Sequence, residues 1–189
     1  MKKLILSILF ILCLSFQASA LGPMMVLSGS GTGGITSCAG IKGSEDTTTT
    51  GTSSQMYATK YVHTDADCLI DTLELYVDDN LATAFRLGIY THDAADDCPA
   101  NRIDQTDPIA APAGYAWLGD TITEMTLVNG TTYWFILQGD GSLGFKYTES
   151  GAAATDSNYE NNTYSNGLPA SWPGDNPAQR IIAFRASHS

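Results

Sequence analysis

The sequence is poor in basic residues: 9 Lys and Arg stand against 20 Asp and Glu in 189 residues. The few cations are scattered, and the acidic field repels nucleic acid and anionic lipid. A nucleic-acid partner is therefore not expected. Catalytic signatures are missing as well. There is no G-x-S-x-G, no H-E-x-x-H and no glycine loop ending in Lys-Ser/Thr. The histidines are His63, His92 and His188. Carboxylates are abundant, yet no spacing singles out a glycosidase-like pair. No stretch keeps a 3.6-residue apolar period over three turns, so almost no helix is predicted. These absences point away from an enzyme and from an organic cofactor.

One long apolar run is present, and it stands at the start. "MKKLILSILFILCLSFQASA" has Lys2 and Lys3, then apolar residues from Leu4 to Phe16, then Ala18-Ser19-Ala20. That is the layout of a cleaved export signal over residues 1–20. The run is too short for a comfortable membrane span. Cys13 follows bulky Ile11 and Leu12, where a lipoprotein signal requires small residues. Cleavage after Ala20 leaves 169 residues, enough for one domain with a sizeable core. Losing Lys2 and Lys3 takes the formal charge from −11 to −13. The expectation is a bacterial protein secreted to the periplasm, cell surface or medium. No transmembrane segment is expected in the mature chain.

Cys38, Cys68 and Cys98 remain after cleavage, an odd number for an oxidising compartment. One disulfide and one thiol is the simplest arrangement. Cys68–Cys98 is the preferred pair, at the start of one predicted strand and in the loop beyond the next. Cys38 is then left over or pairs between chains. The alternative is three reduced, buried cysteines.

Residues 21–55 are dominated by Gly, Ser and Thr, as in "LSGSGTGGITSCAG" and "EDTTTTGTSS". Such a composition buries little and reads as a flexible arm or a loosely attached first strand. From Met56 the pattern changes to short β-branched and aromatic runs separated by turn clusters. In "DTLELYV", Leu73, Leu75 and Val77 alternate with Thr72, Glu74 and Tyr76. In "AFRLGIY", Phe85, Leu87 and Ile89 alternate with Ala84, Arg86, Gly88 and Tyr90. Period-two patterning puts one face toward a core and the other toward water. Seven or more such strands over 56–189 predict an all-β, antiparallel β-sandwich of jelly-roll type behind the N-terminal arm.

The order "LELYVDD…FRLGIYTHD…CPA", "LVNGTTYWFILQ", "NGLPASWP" and a final "IIAFRA" resembles a family of jelly-roll-like β-sandwich domains. They occur in bacterial secreted and surface proteins and in phage structural proteins. The resemblance covers roughly Met56 to Ser187. It implies the sandwich fold, and some such sandwiches are similar to carbohydrate-binding modules. Fold alone does not transfer an activity.

Three kinds of site chemistry are offered. Acidic clusters stand in the predicted loops at Asp65/Asp67, Asp78/Asp79 and Asp93/Asp96/Asp97. The last is the candidate for a structural calcium ion, since hard cations take loop carboxylates and carbonyls. Solvated loop tips are the competing reading. Zinc at His92 with Cys98 lacks a second spaced ligand pair. Aromatic residues in loops are candidates for stacking on sugar rings. Tyr159, Tyr164 and Trp172 stand beside Asn158, Glu160, Asn161, Asn162 and Asp175, and "AGYAWLGD" adds Tyr115 and Trp117. The competing reading folds Trp172 back to cap the sandwich, held by Pro169 and Pro173. Finally, the arm with Met24, Met25, Val26 and Leu27 suits strand addition to a neighbour.

The expected function is thus a secreted, non-catalytic binding module for extracellular glycan or surface polymer, using Trp172, Tyr159, Tyr164 and Trp117. The alternative is a structural subunit of a fibre or surface layer that self-associates through its arm. "NGTTYWFILQGDG" belongs to neither site. Tyr133, Phe135 and Leu137 fall on one face and Trp134, Ile136 and Gln138 on the other. Both faces are largely apolar, so this strand is predicted to be central scaffold, covered on both sides.

Overall fold

Alternating apolar residues build two sheets, and the apolar faces of those sheets meet. The computed structural model describes residues 36–42, 47–51, 55–77, 82–149, 156–174, 176–178 and 180–189. The expected signal segment, residues 21–35, Asp78/Asp79 and Asp175 lie outside them. In chain order the strands are β1 (Thr36–Ser37), β2 (Ala39–Lys42), β3 (Thr47–Gly51), β4 (Gln55–Val62), β5 (Cys68–Val77), β6 (Ala84–Asp93) and β7 (Cys98–Gln105). They continue with β8 (Ile109–Ala110), β9 (Ala116–Leu127), β10 (Thr132–Gly139), β11 (Leu143–Glu149), β12 (Ser157–Asn161), β13 (Arg180–Ile182) and β14 (Phe184–Ser187). Among the described residues there is no α-helix, only a 3-10 turn at Tyr164–Asn166. No helix there is long and apolar enough to cross a membrane.

One sheet runs β13-β11-β5-β14-β2, with β9 and β1 also on β5 and β3 on β11; the other runs β12-β4-β10-β6-β7, with β8 on β6. Every strand pair is antiparallel except β1 beside β5. The result is an antiparallel β-sandwich of jelly-roll type. The predicted alternation holds. Leu73, Leu75 and Val77 of β5 are buried in the main core with Phe85, Leu87 and Ile89 of β6. Each fully buried side chain of this size contributes roughly 1.5–3 kcal/mol relative to exposure. Aromatic pairs clamp the sheets together: Phe135 on Phe184 at 5.5 Å and Tyr57 on Phe145 at 5.3 Å between ring centroids.

β10 is central in its sheet, as predicted, between β4 and β6. Tyr133, Phe135 and Leu137 enter the main core. Trp134 and Ile136 enter a second cluster with Met56, Ala58, Tyr90, Leu168 and Trp172. The outer face of this sheet is therefore roofed by the segment that carries Leu168 and Trp172.

Two expectations are corrected. Residues 36–51 are not wholly an arm, because they supply three strands to the first sheet. "TTTT" reads as polar linker by composition, but Thr is β-branched and Thr47–Thr50 pair with β11. An assembly arm is thereby shortened to residues 21–35. The disulfide joins Cys38 to Cys68, with Cα atoms 5.1 Å apart, and not Cys68 to Cys98. β1 runs parallel to β5 with Thr36 opposite Cys68, and the Cys38 N–H donates to the Leu69 carbonyl at 3.0 Å. Cys98 begins β7 in the other sheet and keeps a buried thiol. β7 and β12 were expected as loops. Both are polar outer strands, and β7 accommodates Pro99 because a strand on one side leaves its other edge free of ladder bonds.

Asp140 ties the end of β10 to the start of β6. Its carboxylate accepts from Thr83 N at 2.9 Å, Ala84 N at 3.1 Å and the Thr83 hydroxyl. Burial works against its ionisation, but the Thr83 and Ala84 donors outweigh that and hold its pKa below the ordinary value. The contribution is full above the unfolded carboxylate value of about 3.9 and is lost as pH falls through the lower folded value. Between about pH 5 and about pH 2, unfolding free energy should fall more steeply for the wild type than for Asp140→Asn. Parallel pH curves for the two would refute this role.

Candidate functional site

The roof over the second sheet is positioned by polar side chains that reach up from the strands. Arg86 Nη1 donates to the Tyr164 carbonyl at 2.9 Å and Gln138 Nε2 to the Asn162 carbonyl at 2.8 Å. Arg102 Nη1 donates to the Leu168 carbonyl, and the Leu168 N–H to Gln105 Oε1 at 3.2 Å. The Tyr90 hydroxyl donates to the Pro169 carbonyl at 2.5 Å. Two glycines permit the seating. A Cβ on Gly88 would stand 2.5 Å from Leu168 Cδ1, and Gly167 turns at φ 69°. Beyond Pro169 the segment joins β7 itself, through Arg102 N to the Ala170 carbonyl at 2.9 Å and Trp172 N to the Ala100 carbonyl at 2.7 Å.

This docking creates a groove of about 390 Å³ between the β6–β7 hairpin and residues 171–174. Asp93, Asp96, Asn101, Ser171, Trp172 and Pro173 line it, and Cys98 contributes to its wall. Asp93 Oδ1 accepts from Ala95 N at 2.9 Å, and the Ser171 hydroxyl donates to Asn101 Oδ1 at 3.2 Å. The indole N–H of Trp172 is buried without a hydrogen-bond acceptor. A groove of this make-up offers carboxylate, amide and hydroxyl groups beside an aromatic wall.

Asp97 is turned away from that set. It adopts φ 52°, and both its oxygens accept from Lys60 Nζ at 3.0 Å. His92 Nε2 lies 3.7 Å from the same carboxylate, and Trp134 Nε1 donates to His92 Nδ1 at 3.1 Å. In the neutral ring the His92 proton is therefore on Nε2, facing Asp97. Asp93, Asp96 and Asp97 do not converge, and among the described residues no three His, Cys, Asp or Glu side chains form a metal-holding group. Two groove carboxylates alone fall short of the six to eight oxygens calcium takes.

The expected aromatic platform does not form. Trp172 is only 9% exposed, with Tyr90 edge-on at 6.0 Å. The backbone bond to Ala100 pulls the ring inward, over the apolar stripe of Tyr90, Trp134 and Ile136. Tyr164 lies against the Arg86 guanidinium at 4.6 Å, and its hydroxyl is buried. Tyr159 is half-buried in β12, opposite Tyr57. Trp117 belongs to the other sheet, edge-on to Tyr76 at 5.4 Å and 4.7 Å from the Arg185 guanidinium. Tyr115 is 62% exposed and carries Lys146 Nζ 5.0 Å over its ring. Of the expected residues, the groove gathers Trp172, Asp93 and Asp96. Asn101 and Ser171 were missed. Their signal was the pair of turn clusters "DDCPAN" and "ASWPGD", whose mutual approach no local pattern encodes.

No protein-family model matches the chain. No curated protein matches it. Among solved structures the chain is similar to one described as the cysteine protease and lectin-like domains of Cwp84, a surface layer associated protein of Clostridium difficile. The two share 11% identity at a TM-score of 0.45, over 80% of this chain. This chain spans 36% of that one.

Proposed function

We propose that this β-sandwich is an exported, non-catalytic module that binds an extracellular glycan or surface polymer in the groove between the β6–β7 hairpin and residues 171–174. The groove itself carries the reading. Its volume suits one or two sugar-sized units, and its amide, hydroxyl and carboxylate groups are those that bond sugar hydroxyls. The Trp172 edge supplies the apolar contact. The export signal read from the sequence and the Cys38–Cys68 disulfide both suit an oxidising compartment outside the cytoplasm.

Asp96 and Asn101 are the groove residues to replace, since both side chains are exposed and leave the core intact. In a glycan array followed by calorimetry, Asp96→Ala with Asn101→Ala should weaken binding at least about tenfold, or 1.4 kcal/mol. The thermal midpoint should stay unchanged. Failure to bind any polysaccharide at millimolar concentration, or binding that survives both substitutions, would overturn the proposal.

A further inference from the structure

His63 is buried, carries a titratable ring, and plays no part in the groove. Its backbone is fixed to the turn before β10: His63 N donates to the Thr131 carbonyl at 3.0 Å, and Gly130 N to the His63 carbonyl at 2.7 Å. The ring is fixed as well. Nε2 lies 2.9 Å from the Ala66 carbonyl, which can only accept, so Nε2 carries the proton. Nδ1 is then left to accept from the Tyr61 hydroxyl at 3.2 Å. The same Nε2 stands 3.4 Å from Cys68 Sγ, one of the two disulfide sulfurs. Among the described residues no donor reaches the other sulfur, on Cys38.

The two ends of this disulfide are therefore chemically unequal. An N–H aimed at a sulfur stabilises it as a thiolate, through a charge-assisted hydrogen bond. The sulfur whose thiol is the stronger acid leaves faster in thiol–disulfide exchange. Accessibility does not separate them, since Cys38 is 8% and Cys68 5% exposed.

We propose that Cys38 is a site of covalent thiol modification, with Cys68 as the leaving sulfur and His63 as the residue that positions and stabilises it. A low-molecular-weight thiolate attacks Cys38 Sγ, the S–S bond breaks, and its electron pair departs on Cys68 Sγ. The Cys68 thiolate receives the His63 Nε2–H hydrogen bond and is then protonated from water. Cys38 is left as a mixed disulfide with the incoming thiol. No net oxidant is needed, because one disulfide is exchanged for another. The modification unties β1 and β2 from the start of β5, which they join by this bond and a two-residue parallel ladder.

The folded wild-type protein is incubated with reduced glutathione, quenched in acid, alkylated with N-ethylmaleimide and mapped by peptide mass spectrometry. Glutathione should be found on Cys38 and the maleimide on Cys68, with a bias of at least about tenfold. In His63→Phe the bias should fall toward equality and exchange should slow. In His63→Asn, which keeps an N–H donor, part of the bias should return. Glutathione shared equally, found mainly on Cys68, or absent from both would overturn the assignment. Should His63→Phe fail to fold, the wild-type distribution decides the question alone.

Discussion

Trp134→Ala will lower the unfolding free energy by about 3–5 kcal/mol, the range for deleting a fully buried large aromatic. Trp134 is wholly buried and lies in the central strand of its sheet. Three separate interactions end with it. The indole leaves a void in the second cluster, among Met56, Ala58, Tyr90, Ile136, Leu168 and Trp172. His92 Nδ1 loses its donor, and the stacked His92 ring, 6.3 Å away, loses its support. The Lys60 ammonium loses the ring face that it overlies at 5.8 Å. Trp134→Phe should cost less, since it keeps most of the apolar volume and forfeits chiefly one hydrogen bond of about 0.5–1.5 kcal/mol. Urea denaturation of both variants checks the order. A loss below about 1 kcal/mol for the alanine variant would mean that the roof is not packed against β10.

Replacing both Cys38 and Cys68 by Ser should cost roughly 3–4 kcal/mol through the entropy of the reopened loop. Cys98→Ser should cost far less, because that thiol closes no loop. The test separates the two pairings as chain entropy could not. Cys38–Cys68 spans 30 residues of sequence, and Cys68–Cys98 would span the same 30. Loop length was therefore silent about the partner, and the decision fell to geometry. Thr36 and Cys68 are neighbours in a parallel ladder, whereas Cys98 opens a strand of the opposite sheet. Thermal unfolding of the two variants, with non-reducing peptide maps, provides the measurement. A large loss for Cys98→Ser with little for the double variant would reverse the assignment.

β10 shows how far local pattern reaches. Its two apolar faces announced a covered, central strand, and its neighbours β4 and β6 confirm that position. Trp172 shows where local pattern stops. Its flanking prolines and polar neighbours suited both an exposed platform and a folded-back plug. The choice was made by Ala100, whose carbonyl holds the Trp172 N–H from a strand more than seventy residues earlier. The groove has the same origin, since Asp93, Asp96 and Asn101 meet Ser171 and Pro173 only because residues 170–172 dock on β7.

The sequence by itself determined that this is an all-β chain, which face of each strand turns inward, and that export and a disulfide were to be expected. Those properties depend on side-chain alternation and composition within a few residues, where chain connectivity alone sets the geometry. Only the tertiary structure decided that a threonine run becomes a strand, that Cys38 takes Cys68, and that Trp172 is roof and groove wall in place of platform. Each of those outcomes is a contact between segments distant in sequence. Such contacts are selected by the simultaneous packing of two sheets, and no local window contains that information.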